Sequence, residues 1–184
     1  MQNKNRAALW YLRGASFAQL VGLGIFQAFQ GVFMKKAGIS ESVFGTIIAI
    51  GSFLPVLFGP LWGRLGDRSK RYKEILIAGT LVLSIIVAGL GLARNVFHFT
   101  LVGIFRGMLN PAIIVIMPAL AIQNLGRRNK GRGFGSYRSF GSLGFMLGTA
   151  GLPFLVKEPE YITMIAGAVL LTSVFSVSKL KNPV

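Results

Sequence analysis

Three arginines, Arg13, Arg106 and Arg138, stand inside stretches that are otherwise apolar. A guanidinium presents N–H donors in a rigid planar fork, so in such surroundings its chemistry is recognition of an anion, a carbonyl or a hydroxylated solute rather than bond making. Gln19, Gln27 and Gln30 add amides to the first stretch, while Asn110 and Tyr137 lie close in sequence to Arg106 and Arg138. Reaction chemistry, by contrast, lacks parts. The chain has no cysteine, His98 is its only histidine, and its five carboxylates are scattered, which supplies neither a nucleophile with its base nor a metal cluster. Gly131-Arg132-Gly133-Phe134-Gly135 is glycine-rich but lacks dinucleotide-loop spacing, and nothing matches a phosphate-binding loop. No cofactor and no enzymatic activity are expected.

The elements that must position these residues are six apolar segments, over about 9–34, 42–65, 73–93, 96–123, 134–156 and 160–178. Each approaches the roughly 20 apolar residues that a bilayer-crossing helix needs. With 184 residues, 53% hydrophobic and only 14% charged, the composition is that of an all-α, polytopic membrane protein. A net charge of +15 would suggest nucleic acid in a soluble domain. Here the basic residues cluster between apolar runs, so they read as orienting loops and no nucleic-acid partner is expected. Thirteen of the 20 Lys and Arg residues fall on one side of the six-span arrangement and four on the other, which predicts cytoplasmic termini in a plasma membrane. The first run has no small-residue cleavage site close behind it and reads as a retained span.

Arg106 stands about ten residues from the outer end of its segment, roughly 15 Å at the helical rise and so near the bilayer midplane. A charge at that depth costs several kcal/mol by most estimates, on the order of 3 or more, and is usually kept for a site. No carboxylate lies in the interior of the six segments. Arg106 therefore addresses either a transported solute or polar groups within the bundle. The glutamines face the same alternatives. Arg13 is expected to snorkel to the cytoplasmic interface. The glycine pairs Gly59/Gly63 and Gly144/Gly148 have the spacing of close helix packing, and Pro55, Pro60, Pro111, Pro118 and Pro153 are expected to bend their helices.

The loop Gly63-Arg64-Leu65-Gly66-Asp67-Arg68-Ser69-Lys70-Arg71-Tyr72-Lys73 resembles the loop between the second and third helices of the major facilitator superfamily. Its usual form is Gly-x-Leu-Ala-Asp-Arg-x-Gly-Arg followed by a basic residue. Gly63, Leu65, Asp67, Arg68 and Arg71 match; Gly66 replaces the alanine, Lys70 the second glycine and Tyr72 the basic residue. The resemblance implies that Gly63, Asp67, Arg68 and Arg71 form a conformational latch; otherwise the segment is an ordinary positive-inside loop. Arg106-Gly107-Met108-Leu109-Asn110 resembles the family's fourth helix, which often places an arginine four residues before a glycine, here Asn110. The run from Phe134 to Phe145 looks like the fifth helix of sugar- and nucleoside-proton symporters, implying a substrate or coupling role for Arg138, whose alternative is snorkelling. The fifth-helix antiporter signature is absent, which favours symport or uniport.

The resemblance covers the whole chain and implies one six-helix half of a twelve-helix fold. That half is built as two inverted three-helix repeats over about 9–93 and 96–178. It implies transport of a small solute, anionic or hydroxylated, by alternating access. A second half, or a second copy of the chain, would complete it. The alternative is a non-transporting six-helix fragment or partner subunit. Under the transport reading the solute-binding or coupling residues are Arg106, Asn110, Arg138, Tyr137, Gln27 and Gln30.

Overall fold

The computed structural model describes residues 2–125, 130–151 and 159–181. They form six helices: α1 (Gln2–Lys36), α2 (Glu41–Ser69), α3 (Tyr72–Gly89), α4 (Val96–Asn124), α5 (Lys130–Met146) and α6 (Pro159–Ser178). A single 3-10 turn, Leu90–Leu92, follows α3, and a π turn, Leu147–Gly151, extends α5. There is no strand among the described residues. Five helices are long and apolar enough to cross a membrane, and α5 is not among them. Its described part is short and rich in glycine and serine. The remainder of the predicted fifth span, Pro153 with its expected bend, and the loop residues Arg127, Arg128 and Lys157 lie outside the described residues.

Helix ends follow local chemistry. Gly38 takes φ +70° after α1, and the Ile39 N–H reaches back to the Met34 carbonyl at 3.1 Å, the bond that closes a Schellman motif. Asn95 caps α4 by accepting the His98 N–H at 3.0 Å. Both α2 and α4 run unbroken through their prolines. Pro111 leaves its turn short of one donor. Beside that turn the Trp62 indole N–H of α2 donates to the Met108 carbonyl of α4 at 2.7 Å.

Packing makes an open ring in the order α2, α4, α3, α6, α1, α5, with α1 and α4 meeting across its middle. Along their length α1 and α2 do not pack on each other. Leu12, Phe26, Leu76, Leu83, Phe99 and Leu170 are fully buried between the helices. Large apolar side chains also cover the outside, notably Phe53, Val56, Leu57 and Leu61 on α2, whose most apolar stretch is only 17% buried. Such a surface requires lipid or protein around it.

Small residues set the tightest approaches. A Cβ on Gly144 would lie 2.5 Å from the Phe17 carbonyl oxygen, and one on Gly148 closer still to that of Val21, so α1 and α5 meet backbone to backbone. On α2 and α4 the corresponding approach is Gly107 against the Gly51 carbonyl, 2.9 Å from a Cβ. Gly59 and Gly63 behave otherwise: their nearest neighbour is Val115, at 3.9 and 3.7 Å. Of the two sequence-predicted pairs, only Gly144/Gly148 marks a tight helix contact.

Candidate functional site

Arg106 lies on the inner side of α4, half-buried, one turn beyond Gly103. Its guanidinium carbon sits 4.7 Å over the ring of Phe26, a fully buried residue of α1. This is a cation–π distance. The Arg106 Nε is buried with no hydrogen-bond partner among the described residues. The side chain lines a depression between the C-terminal half of α1 and the N-terminal halves of α2 and α4, where the gap between α1 and α2 leaves room. Phe26, Gln30 and Met34 come from α1, Ile47, Ile48 and Gly51 from α2, Leu90 from the 3-10 turn, and Phe99, Val102 and Gly103 from α4. Arg106 and Gln30 are the polar side chains of this lining.

The other sequence-predicted residues distribute unevenly. Asn110, one turn further along α4, is buried with an unpartnered Oδ1, and Gln19 on α1 is buried with an unpartnered Nε2. Gln27 is exposed and is not part of the lining. Tyr137 is buried on α5, and its hydroxyl interacts with Ser16 of α1 and with Arg138. Arg138 is exposed. The structure thus brings Arg106 and Gln30 together and leaves Tyr137 and Arg138 as a second group at the α1–α5 contact.

Arg13 is held more firmly than snorkelling implies. Its Nε donates to Ser136 Oγ at 2.8 Å, and its guanidinium lies 4.6 Å from the Trp10 ring and 5.1 Å from that of Phe140. Trp10, one helical turn before Arg13, was the available sequence signal; Ser136 and Phe140 gave none.

In the last turn of α2, Asp67 accepts a hydrogen bond from the Tyr72 hydroxyl. Arg68 and Arg71 are exposed. Tyr72 is buried, and a Cβ on Gly66 would lie 3.0 Å from its ring. Two of the three departures from the resembled motif, Gly66 and Tyr72, are therefore one arrangement: glycine clears the space that the tyrosine ring fills. Neighbouring bonds tie the same end of the bundle together. Tyr72 also interacts with Gln123 of α4, and Asn124 exchanges two bonds with Lys181, at 2.9 and 3.0 Å. Lys73 reaches the Ser178 carbonyl at 3.4 Å.

Five apolar spans, a greasy exterior and a half-buried arginine define a multi-pass membrane protein. Residues 9–182 match the MFS_1 like family, and the chain belongs to that family, as its resemblance to the major facilitator superfamily implied. It is 27% identical over 182 residues to Multidrug resistance protein 2 of Bacillus subtilis, covering 94% of this chain and 44% of the relative. Maltose permease of Geobacillus stearothermophilus is 23% identical over 138 residues, covering 71% of this chain and 34% of the relative. Multi-drug resistance efflux pump PmrA of Streptococcus pneumoniae is 28% identical over 152 residues, 79% of this chain and 34% of the relative. The chain thus spans less than half the length of each, and their names, drug and sugar alike, select no subtype.

Proposed function

We propose that this chain is the amino-terminal half of a plasma-membrane transporter that moves a small solute by alternating access, as a symporter or uniporter, with both termini cytoplasmic. The observation that carries the reading is Arg106 in a depression between helices, its buried Nε without a hydrogen-bond partner among the described residues, since an intramembrane charge is costly unless a ligand helps to repay it. Relatives named as permease and efflux pump support solute movement. The helix contacts support the two inverted repeats. Exchanging α1 with α4, α2 with α5 and α3 with α6 turns the principal pairings α1–α5, α1–α6 and α3–α6 into α4–α2, α4–α3 and α6–α3, all of which occur. A second six-helix half, or a second copy, would cover the apolar face of α2. Gln27 and Arg138, exposed here, would then be available to a shared cavity, together with Asn110 and Tyr137. Asp67, with Gly63, Arg68 and Arg71, would act as the latch, its carboxylate passing between Tyr72 and an arginine as the cytoplasmic side opens and closes.

The test is solute flux in proteoliposomes holding this chain alone, then together with a six-helix second half. Flux that requires Arg106 is expected in the second preparation, or in the first if copies pair. An absence of flux in both would overturn the proposal in favour of a non-transporting partner subunit.

A further inference from the structure

Resting on the transport reading, we infer that the solute bound at Arg106 is a small amphipathic monoanion, an aromatic or branched aliphatic carboxylate, and not a sugar. The walls decide this. Met34, Leu90, Phe99 and Val102 present hydrocarbon, and only Gln30 and Arg106 offer hydrogen bonds. A polyhydroxylated solute entering such a site would leave most of its hydroxyls unpaired, and each buried, unmatched polar group costs roughly 1–3 kcal/mol. An apolar body loses no hydrogen bonds there and gains by leaving water.

The head group is set by Arg106. Its Nε is buried without a hydrogen-bond partner among the described residues, so the guanidinium's charge is not met by a carboxylate at that atom, and a carboxylate is the anion that suits its planar fork. Among the described residues, no lysine, second arginine or carboxylate lines the depression. One guanidinium alone matches one negative charge and repels an organic cation. Phe26 adds preorganisation, because its buried ring holds the guanidinium carbon at cation–π distance and so reduces the ordering cost of binding.

The test uses the full chain in nanodiscs and tritiated 1-naphthoate as probe, with 1-naphthamide, 1-naphthylmethylammonium and maltose as competitors. Naphthoate is expected to bind, and the amide, which keeps the shape and loses the charge, to bind about tenfold or more weakly, as loss of a charge-assisted bond implies. The ammonium compound and maltose are expected not to compete. Arg106→Met should lower naphthoate affinity to that of the amide, while Arg106→Lys should fall between. The comparison among ligands needs no variant, so it stands even if Arg106→Met fails to fold. Equal binding of naphthoate and naphthamide, or competition by maltose or the ammonium compound at comparable concentration, would overturn the inference. A separate flux measurement distinguishes the two proposals: naphthoate bound but nothing transported defeats the transport reading alone, and another solute transported with naphthoate neither bound nor competing defeats this inference alone.

Discussion

Replacing Gly144 and Gly148 together by alanine tests how closely α1 and α5 are joined. The Cβ added at 144 would stand 2.5 Å from the Phe17 carbonyl oxygen, where ordinary contacts begin at 3.4 Å. The helices must therefore separate by close to 1 Å. The obstructing atoms are backbone oxygens, which cannot rotate aside as the end of a flexible side chain can. Overpacking of this kind costs about 1–3 kcal/mol per site, so the double variant is expected to lose about 2–5 kcal/mol. Gly59→Ala/Gly63→Ala provides the matched control, because its added methyls meet only Val115 at 3.9 and 3.7 Å. It should be neutral, or gain up to about 1 kcal/mol from better helix propensity. The assay is equilibrium unfolding in mixed micelles with a denaturing detergent, followed by far-ultraviolet circular dichroism. Equal losses in the two variants, or no loss in Gly144→Ala/Gly148→Ala, would refute the reasoning.

Three further outcomes are expected. Tyr72→Phe, which removes the hydroxyl that holds Asp67, should lower unfolding free energy by about 1 kcal/mol. Gly66→Ala should do the same by displacing the ring, and the double variant should lose less than the sum of the two; strict additivity would show that they do not share one contact. Trp62→Phe should lose about 1 kcal/mol through the missing bond to Met108, and unchanged stability would deny that bond a role beside Pro111. Asn124→Ala should speed hydrogen exchange of the Lys181 amide, which now donates to Asn124; an unchanged rate would mean the clasp is absent in solution.

The membrane-spanning helices were legible because each gathers enough apolar residues to announce a bilayer crossing on composition alone. Their ends were less so: α1 begins at Gln2, well before the apolar segment read from about position 9, because a helix continues into water wherever polar residues tolerate it. That Arg106 is a charge within an apolar helix is legible in the sequence, but its seat on Phe26 is not, since that contact joins residues on separate helices. The two glycine pairs have identical spacing and opposite environments. Spacing records which face of a helix is small, and only the partner helix decides whether that face is used. Arg13 shows the same limit, because Ser136 lies 123 residues away in sequence. Gly66 and Tyr72, read separately, were mere mismatches to a motif; the packing of one against the other makes them a unit.

The seams at Gly144/Gly148 and Gly107 give the bundle uneven mechanical compliance. Where main chains touch, little can be compressed or slid, so α1 with α5 and α2 with α4 resist deformation as stiff plates. The gap between α1 and α2 has no such seam, and it is the yielding coordinate of the described bundle. Because Arg106 lines the depression beside that gap, a change in the width of the gap changes the access to its guanidinium.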